Sequence, residues 1–290
     1  MNAADQRADW PPDWPLDWLR VRRGSAPLIV SIPHAGTDLV HVRDQVKSAW
    51  LATFDADWWV NRLYDFAGEL DATIVSTSIS RTVIDVNRDA GSKNLYPGMA
   101  TTELVPTTTF DGIALYETER LPGASEQTVR RECYFDPYHA ALRSEIERLR
   151  GLHTNVVLYD AHSIRSQVPR LFEGTLPQFN IGTFDGRSCS AGLSEAVASI
   201  CAASGDSYVV NGRFKGGSIT RTYGQPAQGV HAIQMELACR AYMTEPLFPL
   251  TESNWPPAWS AEQAAPVRRV LRDVLNACLS FVNSSDARSS

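Results

Sequence analysis

The chain lacks most of the features that make a function class easy to recognise. Its five cysteines, Cys133, Cys189, Cys201, Cys239 and Cys278, are odd in number and widely spaced, with no CxxC pair. That excludes a disulfide framework or a cysteine-built zinc site as the organising principle. No apolar run approaches the roughly 20 residues that cross a bilayer, so a membrane is not an expected partner. No Lys/Arg run exceeds a pair, and the formal net charge is -6. Nucleic acid, whose phosphates call for clustered cations, is therefore not expected either. Internal repeats and low-complexity linkers are absent. The opening residues, MNAADQRADWPPDWPLDWLRVRRG, hold acids, prolines and tryptophans where a secretory signal would have a positive end and an apolar stretch. A cytoplasmic location is the expectation.

What is present is ordinary globular composition: 290 residues, 43% hydrophobic and 21% charged, enough for a large core. Residues 1–24 follow neither helical nor strand period and read as an irregular arm whose indoles pack on the body. Residues 25–290 read as a single α/β domain. Within it, PLIVSIP (27–33) is a buried strand bounded by prolines, and it delivers His34. DADWWVNRLYDFAGEL (55–70) spaces Trp59, Leu63, Phe66 and Leu70 for an amphipathic helix behind an acidic start. ATIVSTS (72–78) and TVIDV (82–86) read as strands, and residues 87–109 as a long loop of the kind that is uncommon unless functional.

Further on, YHAALRSEIERLR (138–150) reads as a helix, and NVVLYD (155–160) as a buried strand ending in Ala161-His162-Ser163. A helix over 191–203, a strand near 208–210 and a Gly-rich turn over 211–217 follow. GVHAIQMEL (229–237) alternates, with Gln234 and Glu236 on one face and His231 on the other; the remainder is expected to be helical. Strands alternating with helices predict an α/β sandwich on a largely parallel or mixed sheet.

In such sheets ligands collect beyond the carboxyl ends of the strands. His34 and His162 both stand there. An isolated histidine at a strand end is commonly a hydrogen-bonded structural residue, but two at equivalent ends suit a metal. Zinc takes imidazole nitrogen, with a carboxylate as the common third ligand and one position left for water. Asp38, Asp55 and Asp57 are all within reach of the His34 loop. Asp57 is the preferred ligand, with Asp55 as helix cap or support, and Asp160 is placed to orient an imidazole. Glu236, on an otherwise apolar strand, is the candidate general base; the alternative is a buried salt bridge to Arg221 or Arg240. Arg81, Arg88, Arg165, Arg213 and Arg221 fall in or beside the strand-end loops. Guanidinium forks in an acidic protein suit a small dicarboxylate.

Several long stretches carry a resemblance: SIPHAGTDL, DADWWVNRLYDFAGEL, SRTVIDVNR, LYPGM, PTTTFDG, LYDAHSIRSQVPRLFEG and NGRFKGGSITRTYGQPAQGVHAIQMELACRAYM. In this order, over residues 27–243, the chain resembles the N-formylglutamate amidohydrolase family of histidine degradation. The resemblance implies a three-layer sandwich with a central mixed, largely parallel sheet, like that of zinc carboxypeptidases and aminoacylases. It also implies a metal held by two histidines and a carboxylate, and hydrolysis of N-formyl-L-glutamate to formate and L-glutamate. Zinc carboxypeptidases place the acidic ligand three residues after the first histidine, where this chain has Thr37, so the carboxylate must come from elsewhere. On this reading Zn2+ is held by His34, Asp57 and His162, and Glu236 is the base. Arg165 stabilises the oxyanion, while Arg81, Arg88, Arg213 and Arg221 hold the carboxylates. The competing readings are a related deacylase for another N-acyl acidic amino acid and a non-catalytic small-anion binder.

Overall fold

A computed structural model describes residues 16–91, 98 and 101–283. Among the described residues seven strands form one sheet: β1 (Leu19–Arg22), β2 (Leu28–Ile32), β3 (Thr73–Thr77), β4 (Val156–Ile164), β5 (Phe179–Gly182), β6 (Tyr208–Val210) and β7 (Val230–Ala238). Their spatial order is β1-β3-β2-β4-β7-β5-β6. The pairings β2 with β3, β2 with β4, β4 with β7 and β5 with β6 are parallel. The outer pairings β1 with β3 and β5 with β7 are antiparallel. The sheet is thus mixed and largely parallel, as the strand and helix alternation predicts.

Helices cover both faces because both faces are apolar. Side chains alternate along β4 and β7, so Val157, Tyr159, Ala161, Ile233, Met235 and Leu237 point into one core. There they meet helices α2 (Ala191–Ala203) and α4 (Ala261–Val282). Ser190 and Ser260 cap these helices by accepting the amide hydrogens of Leu193 and Gln263, which satisfies donors a helix start leaves open. The opposite residues, Val156, Leu158, Val230 and Ala232, pack on α1 (Asp136–Arg150) and α3 (Ser218–Tyr223). Toward the carboxyl ends this second face changes character: Asp160, His162, Gln234 and Glu236 continue the same alternation as buried polar groups.

Four expectations change. The arm over 1–24 is not irregular throughout. Leu19–Arg22 extends the sheet as β1, and Trp18 is buried edge-on to Tyr134, ring centroids 5.2 Å apart. Trp10 and Trp14 lie outside the described residues. The 55–70 segment is not one helix. Trp59 is left-handed at φ 65°, leaving a single α-turn at Val60–Leu63 and a 3-10 stretch at Asp65–Leu70. The chain bends because Asp57 is pinned to the site, its amide on the His34 carbonyl at 2.9 Å. TVIDV is a series of turns rather than a strand. It is held by the Thr82 amide on Ser80 Oγ and the Asn87 amide on Asp85 Oδ1. Finally, β4 runs through His162 instead of stopping before it, and β5 and α3 are additional elements.

The cysteines behave as small core groups: Cys189, Cys201, Cys239 and Cys278 are buried and all five are free thiols. Among the described residues no helix is long and apolar enough to cross a membrane.

Candidate active site

His34 leaves the end of β2, His162 sits in β4, and Asp57 arrives on the turn that follows residues 49–53. One atom from each of the three lies within 4.8 Å of the others. His162 Nδ1 is 3.0 Å and His34 Nδ1 is 3.7 Å from the same carboxylate oxygen, Asp57 Oδ2. Ligands about 2.1 Å from a tetrahedral zinc stand roughly 3.4 Å apart. The spacing suits one ion. His34 Nδ1 is fully buried with no hydrogen-bond partner, a costly arrangement unless something else occupies that lone pair.

The far nitrogens are held by carboxylates. His34 Nε2 meets Asp85 Oδ1 at 2.7 Å, and His162 Nε2 is 3.0 Å from Asp160 Oδ2. At His34 this fixes the tautomer and leaves Nδ1 free to ligate, whereas His162 Nε2 also lies 2.9 Å from the Asn87 side-chain nitrogen. Asp160 is in turn anchored by Ser31 Oγ at 3.0 Å and by the Asn87 side-chain Nδ2 at 3.1 Å. Burial opposes charge on His162, but Asp160 and Asp57 outweigh it and hold the imidazole well above its ordinary pKa. Burial also opposes ionisation of Asp57 and Asp85. The His162 hydrogen bond and the charges of both histidines overcome it at Asp57, and the charges of His34, Arg81 and Arg88 overcome it at Asp85, so both stay below the usual carboxylate range.

Parallel pairing sets Glu236 directly beside His162, and Gln234 beside Asp160. Burial pushes the Glu236 carboxyl up to about 8; His162 pulls against this and Asp57 adds to it. Its Oε2 accepts from Gln234 Nε2 at 3.3 Å. The salt bridge considered for Glu236 does not form with Arg240, which reaches Ser166 Oγ at 3.0 Å. Arg221 turns its Nε to the Gly216 carbonyl at 2.9 Å. His231 lies on the opposite face, against Phe281 at 4.9 Å.

A cleft of about 60 Å³ opens over this group, lined among others by His34, His162, Glu236, Arg81, Arg88 and Arg213. Arg81 is nearest the cluster, with Nη1 3.5 Å from Asp57 Oδ1 and Nη2 2.6 Å from Asp85 Oδ2. Arg88 lies on the same side, tied to Thr102 through Nε at 3.1 Å and Nη2 at 2.8 Å. Arg213 holds the Leu171 carbonyl at 2.7 Å. The backbone comes close here: a Cβ on Gly217 would stand 2.4 Å from Asn87 Nδ2, which is why glycine is needed where Gly217 donates to Gln234 Oε1.

Two arginines are not where the sequence suggested. Arg165 does not line the cleft. Its Nη2 pairs with Asp111 at 2.7 Å and Asp55 at 3.2 Å, and its head lies 4.5 Å above the Phe54 ring. It follows the end of β4, already past the site, so it is corrected from oxyanion group to support. Arg221 stacks on Phe184 at 4.6 Å, also outside the lining. Asp38 is exposed and accepts the Val40 amide. Asp55 is no helix cap; it accepts the Phe110 amide at 2.6 Å. Asp85, Asn87, Gln234 and Phe110 belong to the site and were not singled out from the sequence.

The fold and the cleft define an α/β protein whose polar sheet end combines a two-histidine, one-carboxylate cluster with a cationic wall. Comparison with known proteins narrows this class. The family model described as N-formylglutamate amidohydrolase matches residues 26–243, and the chain belongs to that family. It is 45% identical over 265 residues to N-formylglutamate deformylase of Pseudomonas putida, covering 91% of this chain and 96% of that protein. A Pseudomonas aeruginosa protein of the same name is also 45% identical, over 266 residues. The crystal structure of N-formylglutamate amidohydrolase from Ralstonia eutropha JMP134 shares the fold, with a TM-score of 0.73 at 21% identity. The match covers 91% of this chain and 97% of that one.

Proposed function

We propose that the protein hydrolyses the formyl amide of N-formyl-L-glutamate, releasing formate and L-glutamate, with one divalent metal ion held by His34, Asp57 and His162. The observation that carries this reading is His34 Nδ1, buried and unpartnered beside Asp57 Oδ2. The 45% identity to proteins named for this reaction supports the substrate. Zinc is the expected ion, since two imidazoles and a carboxylate with room for water make a hydrolytic zinc donor set. When bound it supplies Lewis acidity to a carbonyl and acidifies water.

The chain's own groups do the rest. Glu236 takes one proton of the attacking water and returns it to the amide nitrogen as the C–N bond breaks; the second water proton, left on the new carboxyl group, passes to the released amine, so that formate and an ammonium group leave. Arg81, closest to the cluster, replaces Arg165 as the cation facing the developing oxyanion. Arg88 and Arg213 bind the two glutamate carboxylates, each through a planar fork. A place in histidine breakdown and a cytoplasmic location accompany this reading.

Two measurements test it. Purified protein should contain close to one equivalent of zinc, lose activity on chelation and regain it with zinc. A panel of N-formyl, N-formimino and N-acetyl derivatives of glutamate and aspartate should show N-formylglutamate turned over fastest. Metal-independent turnover would end the metal proposal, and fast turnover of another member with none of the formyl compound would replace the substrate.

A further inference from the structure

Phe110 is held at the cleft by an arrangement the reaction itself does not require. Its ring lies 4.8 Å from the Arg81 guanidinium carbon and is 6% exposed. Its amide donates to Asp55 Oδ2, and the next residue, Asp111, pairs with Arg165, which also pairs with Asp55. One ion-pair triad therefore fixes the backbone on both sides of the ring. Asp55 stands two residues before Asp57, so the metal-ligand segment and this wall share an anchor.

The ring is also a partition. On one side is the cleft with His34, His162 and Glu236. On the other is a second, smaller cavity of about 10 Å³, bounded by Leu51, Thr82, Pro106 and Leu115. Phe110 and Arg81 line both. Phe110 and Arg81 line the cleft beside His34, His162 and Glu236, so an acyl group seated there with its oxygen toward Arg81 would lie against the ring stacked on Arg81. A formyl carbon bears only hydrogen, whereas an acetyl carbon needs room for a methyl.

We infer that Phe110 sets the upper size of the acyl group, and that Asp55, Asp111 and Arg165 are positioning residues that keep its ring on Arg81. This rests on the deformylase reading above and adds to it the residue that excludes larger acyl groups.

The test compares kcat/KM for N-formyl-, N-acetyl- and N-propionyl-L-glutamate in the zinc-loaded wild type and in Phe110→Leu, Phe110→Ala, Arg165→Met and Arg165→Met/Phe110→Ala. Opening the partition should move the acetyl-to-formyl ratio about tenfold or more toward acetyl in Phe110→Ala, the scale of one carbon in an apolar pocket, and by less in Phe110→Leu. Arg165→Met should move the ratio the same way and add little once the ring is gone, because coupled positions are non-additive. A wild type active on the formyl compound, with unchanged ratios in both Phe110 variants, overturns the size-limiting role. A full additional effect of Arg165→Met in the Phe110→Ala background overturns the positioning role. A wild type inactive on all three compounds instead overturns the deformylase reading on which the inference stands.

Discussion

Asp85→Asn removes one charge and no volume from a carboxylate that holds several buried groups together. Oδ1 accepts from His34 Nε2 and from the Asn87 amide; Oδ2 accepts from Arg81. An asparagine amide can replace only one of these acceptors, because its nitrogen turns a donor toward the other. Losing the carboxylate behind a ligating histidine costs about 10–100-fold in metal affinity, or about 1.4–2.7 kcal/mol. A second cost falls on Arg81. Stripping a buried cation of its partner costs about 3–5 kcal/mol, and since Asp57 remains 3.5 Å away, the lower end, about 3 kcal/mol, applies. Zinc affinity is read by competition with a chromophoric chelator, and stability by urea denaturation of the chelated protein. Zinc affinity within twofold of wild type would refute the role assigned to Asp85 behind His34, and unchanged urea stability would refute the pairing with Arg81.

Glu236→Gln should lower kcat by about 10²–10⁴-fold, the scale of general acid–base catalysis, while zinc binds as before; a parallel loss of metal would make Glu236 a ligand instead. Asp57→Ala should lose metal, whereas Asp55→Ala should keep it and mainly lose stability, and the reverse pattern would exchange their roles. His139 is buried between the Val86 carbonyl and the Tyr223 hydroxyl, and burial lowers its pKa to about 4. The unfolded chain, near 6.5, then takes up a proton first as pH falls. The stability His139 contributes is complete above pH 6.5 and declines by about 3 kcal/mol by pH 4. His139→Gln, which keeps a donor for Val86, should flatten that decline in urea titrations of the chelated protein; an unaltered slope would assign the acid sensitivity elsewhere.

What the sequence made legible follows from how each group is held. His34 and His162 stand out because apolar β-branched runs lead directly to them, and Glu236 because a polar residue recurs at period two in an apolar strand. Asp85 was hidden. Val83, Ile84 and Val86 are buried, so TVIDV has the composition of a strand, while its turns are imposed by contacts with Ser80, Arg81 and Asn87. The break at Trp59 was equally hidden, since helical spacing over 55–70 is real but Asp57 is pulled toward His34 by contacts distant in sequence. Arg165 shows the limit of inference by proximity: three residues beyond His162, it pairs with Asp55 and Asp111 away from the cleft. Phe110 could have been found only as the aromatic just after the long 87–109 loop, a weak signal without its partners.

The pairing of β4 with β7 has a consequence for how such a protein can change. His162 and Glu236 stand side by side on two paired strands buried on both faces, and a slip of either strand by one residue would send its member of the pair into the apolar core. Their spacing is therefore inherited as a unit with the sheet. Point substitution can delete either group or shorten its reach but cannot change the strand register that pairs them. Diversification toward new acyl amino acids is left to the loops, where Arg88, Phe110 and Arg213 stand, while the His162–Glu236 pair stays locked to the strands.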